Sequence, residues 1–158
     1  MRYYIIISGI PGSGKTTLGR NLSAAIGLPM FDKDDILEAM FESLGIGDAD
    51  WRQKLSRSAD KVLQKLIEQN DKAVITSWWR HPKLTWLSSG TPIEWFSTLQ
   101  GKIIEVFCQC DPAIASKRFQ ERKRHEGHLD STRGQTDLIP EFQKLTSFGK
   151  DYYDHGST

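Results

Sequence analysis

Gly9-Ile10-Pro11-Gly12-Ser13-Gly14-Lys15-Thr16 matches the pattern G-x-x-x-x-G-K-[ST] without a mismatch. Before it runs Tyr3-Tyr4-Ile5-Ile6-Ile7-Ser8, an apolar, β-branched and aromatic stretch that reads as a buried strand. After it, Leu18, Leu22, Ala25 and Ile26 recur at helical spacing. A glycine-rich turn between a strand and a helix exposes backbone N–H groups, and the helix start adds partial positive charge, so the turn cradles phosphates. Lys15 is expected to reach the β- and γ-phosphates and the Thr16 hydroxyl to ligate Mg²⁺. Gly9, Pro11, Gly12, Ser13, Gly14, Lys15, Thr16 and the adjoining Thr17 form the expected nucleotide-binding set.

The chain has 158 residues, enough for one domain with a real core, and the single domain is expected to span 1–158. A formal net charge of +1 gives no global basic field to attract nucleic acid. Cys108 and Cys110 lie one residue apart on a strand pattern, a spacing that does not readily bridge. Two such cysteines also fall short of a zinc site. Residues 3–7 are too short for a signal segment and no apolar run approaches membrane length. A reduced, cytoplasmic protein without a membrane partner is expected.

Along the chain, Gly27-Leu28-Pro29 ends the first helix and residues 28–31 form a short second strand. Ile36, Leu37, Met40, Phe41 and Leu44 mark a second helix closed by Gly45. Trp51, Leu55, Ala59, Val62, Leu63, Leu66 and Ile67 mark a third. Residues 72–76 read as a buried strand, 77–82 as a loop, the region up to 100 as partly helical, and 102–108 as a fourth strand. Asp111-Pro112 opens a helix expected to run to about Arg124, followed by a polar, mobile segment to Thr136. Residues 137–148 read as a last helix, and the tail carries no pattern. Alternating strands and helices imply an α/β fold: a three-layer α/β/α arrangement around a parallel sheet of four to five strands. Ligands of such sheets bind outside the carboxyl ends of the strands.

Three clusters fall at that edge. Asp32, Asp34 and Asp35 follow the second strand, where one carboxylate can take the proton of an acceptor hydroxyl and others can assist Mg²⁺. Asp34 is the chosen base, with Asp32 and Asp35 beside the metal; the alternative is that Asp34 or Asp35 merely caps the next helix. Arg118 and Arg122, four apart on one helix face, suit a lid that closes over a triphosphate; the alternative is a solvated basic face shared with Lys117, Lys123 and Arg124. Trp78, Trp79 and Arg80 follow the third strand, on the acceptor side, as candidates for stacking and anion recognition. The alternative there is one core Trp and a surface Arg80.

Together, the Gly9–Thr16 loop, Asp32-Lys33-Asp34-Asp35 and the Arg118/Arg122 pair resemble the small P-loop kinases, and most of all the branch near polynucleotide kinase, chloramphenicol phosphotransferase and zeta-toxin-type enzymes. The resemblance implies ATP and Mg²⁺ as cofactors. It implies Asp34 as base, and a lid at about 112–136 in which one arginine stacks on adenine and one meets phosphates. Two features depart from it. Thr76-Ser77 stands where phosphate-loop proteins often end the third strand in Asp, so Mg²⁺ is expected to lean on Thr16 and the Asp cluster. Residues 149–154 make a poor fifth strand. The reading is a kinase that transfers the γ-phosphoryl group of ATP to a hydroxyl of a small molecule, with Lys15, Asp34, Arg118 and Arg122 as its catalytic set. Two alternatives stay open: a polynucleotide or nucleotide-sugar kinase, and an ATP-binding switch or pseudo-kinase without transfer. Net charge and Leu37 after the Asp pair make nucleic acid the less suited acceptor.

Overall fold

The computed structural model describes residues 1–80, 89–130 and 140. Strands β1 (Tyr3–Ser8), β2 (Met30–Asp32), β3 (Lys72–Thr76) and β4 (Lys102–Phe107) form one parallel sheet in the order β2-β3-β1-β4. β1 is central, which is why its sequence is apolar on both faces rather than alternating. Tyr4 and Ile6 pack with Leu63, Ile67, Ile75, Trp79 and Phe96 on one face. Ile5 and Ile7 pack with Val74, Leu18 and Leu22 on the other. Period-two alternation thus divides a single run between two cores.

Helix α1 (Lys15–Ile26) covers the second of those faces, and Gly27 ends it in a left-handed turn. Helices α2 (Lys33–Leu44) and α3 (Ala49–Glu68) pack on each other through Leu37, Phe41, Leu55 and Ala59. The Asp48 side chain caps α3 by accepting from the Trp51 amide. Helix α4 (Pro112–Glu121) starts as expected, with Asp111 capping the amides of Ala113 and Ile114 and Pro112 in the first turn. Residues 94–98 form a short 3-10 helix.

Two expectations need correction. Helix α4 stops at Glu121 instead of near Arg124: Arg122 has extended backbone (ψ 140°), and the chain turns back toward α2. Residues 126–128 are not part of a loose segment. They form a 3-10 turn whose His128 is fully buried, because Gly127 lies against the Phe41 ring and His128 pairs with Glu38. A Cβ on Gly127 would sit 2.3 Å from that ring. Apart from Pro140, the expected last helix lies outside the described residues, as do the question of a fifth strand, His81 and residues 131–136 of the expected lid. Among the described residues, no helix is long and apolar enough to cross a membrane.

Candidate active site

The carboxyl ends of β1, β2 and β3 open into a cleft of about 360 Å³. The phosphate loop forms one wall. Gly12, with φ +77°, packs so closely on α4 that a Cβ there would lie 2.2 Å from the Ala115 carbonyl oxygen. Gly9, with φ +143°, approaches the Cys108 carbonyl in the same way. Both sites exclude a side chain by conformation and by contact. The Cys108 thiol donates to the Ser13 carbonyl, and both cysteines are free thiols.

Lys15 curls over the loop, its ammonium donating to the Gly9 and Ile10 carbonyls at 2.8 and 2.9 Å. Burial, reinforced by the nearby positive charge of Arg122, pushes its pKa down to about 8. Such a lysine gains most from an incoming anion. Thr16 Oγ1 donates to Asp32 Oδ2 at 2.8 Å, while Asp32 Oδ1 accepts from the Asp34 amide at 2.9 Å. The capping role considered for Asp34 or Asp35 therefore falls to Asp32. Burial and the neighbouring Asp34 charge raise the Asp32 pKa, against the pull of its two hydrogen bonds.

Thr76 stands beside Asp32 in strand register, with its Oγ1 buried and without a hydrogen-bond partner. Thr16, Asp32 and Thr76 thus bring hard oxygen donors to one end of the cleft, the donor type that suits Mg²⁺. Asp35 points elsewhere: it is exposed, lies 3.7 Å from Arg20 and is not on the cleft wall.

Asp34 faces the cleft, half-exposed. Burial pushes its carboxyl up, but the positive charges around it, Arg124 first and then Arg122 and Lys33, outweigh this and hold it below the usual carboxylate range. Arg118, Phe119 and Arg122 line the loop side of the cleft. The Arg122 guanidinium lies 4.3 Å over the Phe119 ring. With Arg122 at the C-cap, the two arginines reach the cleft from a helix end rather than from a continuous helical face.

The Trp78-Trp79 pair divides. Trp78 is half-buried on the cleft wall, whereas Trp79 is core, donating its indole N–H to the Ile7 carbonyl at 2.9 Å. The expectation that Trp79 contacts substrate is thereby corrected, since its side chain closes the sheet from beneath. Arg80 is turned onto the Ser89 and Gly90 carbonyls and is not on the cleft wall.

Sequence reasoning missed two groups. The first is a largely buried network of which Lys33, Ser56 and Arg57 line the cleft. Lys33 Nζ meets Asp60 Oδ1 at 2.7 Å and Ser56 Oγ at 2.9 Å, Arg57 meets Asp60 at 3.1 Å, and Thr91 donates to Asp60. Burial lowers the Lys33 pKa, opposed by the Asp60 charge. The signal was present in α3. Continuing the Leu63–Ile67 row toward the N-terminus lands on Asp60 and Ser56, polar residues where apolar ones would extend the core. The second group is Arg124, His128 and Glu38, joined across 90 residues of sequence. No local pattern announces such a link.

The AAA domain family matches residues 5–137. A shikimate kinase of Paracidovorax citrulli is 34% identical over 68 residues, a match spanning 42% of this chain and 37% of that protein. Among solved structures, a candidate kinase from Chloroflexus aurantiacus superposes with a TM-score of 0.61 at 24% identity, covering 91% of this chain and 77% of the other. A chain of the Pnkp1/Rnl/Hen1 RNA repair complex gives a TM-score of 0.60 at 14% identity, covering 97% of this chain and 46% of that one. These likenesses establish the three-layer P-loop fold. With its phosphate loop, parallel sheet and matched span, this chain belongs to the AAA domain family.

Proposed function

We propose that the protein transfers the γ-phosphoryl group of ATP to a hydroxyl of a small molecule. The observation that carries the reading is the shared cleft. Lys15, the loop and Asp34 line one cleft, along with Thr16 and the Asp32 carboxylate to which its hydroxyl donates. In this reading the loop amides and Lys15 hold the β- and γ-phosphates. Arg118 and Arg122 neutralise charge spreading over the transferring group. Asp34 orients the acceptor hydroxyl and takes its proton. Mg²⁺, held by Thr16 and Asp32 with Thr76 beside them, would supply charge neutralisation on the phosphates. Asp35 leaves the metal set, and Trp79 and Arg80 leave the substrate set, because none of the three lines the cleft.

The acceptor half of the cleft is lined by Leu37, Arg52, Gln53, Arg57, Trp78 and the Ser89–Gly90 backbone. This wall is rich in hydrogen-bond donors and carries two guanidiniums, which suits a polar acceptor with an acidic group. Similarity to a shikimate kinase places hydroxy acids first in an acceptor screen. The test is phosphoryl transfer from labelled ATP to hydroxy acids, sugars, amino sugars and oligonucleotides. Transfer to a hydroxy acid, with Arg52→Gln raising the acceptor KM about tenfold, or about 1.4 kcal/mol, at constant KM for ATP, is the expected result. Transfer to oligonucleotides alone would replace the small-molecule reading, and ATP binding without transfer to any acceptor would leave a nucleotide-binding switch.

A further inference from the structure

We propose that His128 is a positioning residue for this reaction: it holds Arg124 against Asp34, and so registers the arm that follows α4 to the acceptor side of the cleft. The inference rests on the reading of Asp34 as the acceptor-side carboxylate. It begins from hydrogen-bond chemistry. A guanidinium can only donate. Arg124 spends one terminal nitrogen on Asp34 Oδ2 at 3.2 Å and on His128 Nδ1 at 2.9 Å, and the other on both Asp130 oxygens at 3.1 and 3.2 Å. His128 Nδ1 must therefore accept, which makes the ring neutral with its proton on Nε2. That nitrogen then donates to Glu38 Oε1 at 2.8 Å. Burial and the Arg124 charge favour the neutral ring, opposed by Asp34 and Glu38.

The links close a ring. Asp34 and Glu38 are four apart on α2 and share a face. From Asp34 the path runs through Arg124 and His128 to Glu38 and back to α2. One turn further on, Phe41 extends the same stripe: it stacks on His125 and meets His128 edge-on, both at 5.4 Å between ring centroids. The arm is thus docked on one stripe of the helix whose first turn bears Asp34. Arg122 stands two residues before Arg124, so the dock also fixes where the cleft's loop-side arginine leaves the arm. Leu129, directly after His128, takes a left-handed φ of 58° that leucine rarely adopts, a strain that persists where surrounding contacts over-determine the backbone.

The test is a double-mutant cycle, reading kcat for ADP release from Mg·ATP with the best acceptor of the screen or with water. His128→Phe keeps a ring and removes both nitrogens. Measured well below the melting temperature, it should lower kcat roughly 10- to 100-fold, the usual cost of losing a residue that orients a site group, with KM for ATP unchanged. Added to Arg124→Ala it should cost nothing further. His128→Gln, whose amide can both accept and donate, should recover most of the rate. Glu38→Gln should be mild, because a neutral imidazole donates to an amide oxygen as well. Additive losses, or losses that merely follow melting temperature, would assign His128 a structural role and overturn the proposal. Arg124→Ala turning over faster than the parent would make the contact a brake and overturn it too. Nitrogen NMR supplies a readout independent of turnover: a neutral ring protonated on Nε2 is expected, and an imidazolium or an Nδ1–H ring would contradict it. If Asp34→Asn transfers at full rate while the coupling and the tautomer hold, the base assignment fails and the positioning of Arg124 stands.

Discussion

Asp34→Asn should bind ATP as the parent does and lose phosphoryl transfer by about 10²–10⁴-fold. The amide keeps the size and the hydrogen bond from Arg124 but cannot take a proton from an acceptor hydroxyl. Phosphoryl transfer passes through a loose transition state in which the acceptor proton leaves late. A carboxylate already ionised in the neutral range therefore suffices to orient the hydroxyl and collect that proton. Because the positive charges around Asp34 hold its pKa below the usual range, its contribution is present throughout the neutral range and is lost only as pH falls through that lowered value. ATP affinity by calorimetry and single-turnover transfer would separate the two effects. Equal transfer by mutant and parent would remove Asp34 from the mechanism.

Asp60→Asn should be the more damaging change to stability, at about 3–5 kcal/mol, because it strands the buried Lys33 ammonium without a counter-charge. Lys33 and Asp60 are nearly as buried as core residues, with side-chain exposures of 9% and 10%. For a chain of this size the melting temperature should fall on the order of 10 °C. The paired change Lys33→Met with Asp60→Leu should restore much of it, since removing both charges leaves nothing uncompensated. Lys33 sits between Asp32 and Asp34, so the pair also pins the first turn of α2 where both carboxylates are presented. The single mutant should accordingly lose activity below its melting point, and the double mutant should keep its fold while turning over slowly. Thermal unfolding with ATP turnover checks both. A drop of under 1 kcal/mol would mean that water compensates Lys33.

What was legible in the chain follows from where the information lies. β1 and β3 were readable because a strand buried on both faces must be a short apolar run, and the phosphate loop because its backbone admits few sequences. Asp32 and Asp34 line the cleft because strand ends in a parallel sheet share an edge, whereas Asp35 does not. Which aspartate caps and which faces the cleft was not legible, since that is set by one turn of backbone: Asp32 takes the cap and turns to Thr16, and Asp35 rotates out to Arg20. Trp78 and Trp79 look alike in sequence, yet successive residues on an extended chain face opposite sides, so only one can reach the cleft. The length of α4 was overestimated because Arg122-Lys123-Arg124 has good helix propensity. The contacts of Arg124 with Asp34 and of His128 with Glu38 override it, and each joins residues 90 apart.

The most direct test of the account is a crystal structure with Mg²⁺ and a non-hydrolysable ATP analogue. The account predicts the triphosphate lying in the loop, the cation against Thr16 and Asp32, and the Asp34 carboxylate on the side of the γ-phosphorus opposite the bridging oxygen, open to the space lined by Arg52, Arg57 and Trp78. A γ-phosphate turned away from Asp34, with that carboxylate walled off from the acceptor space, would contradict it.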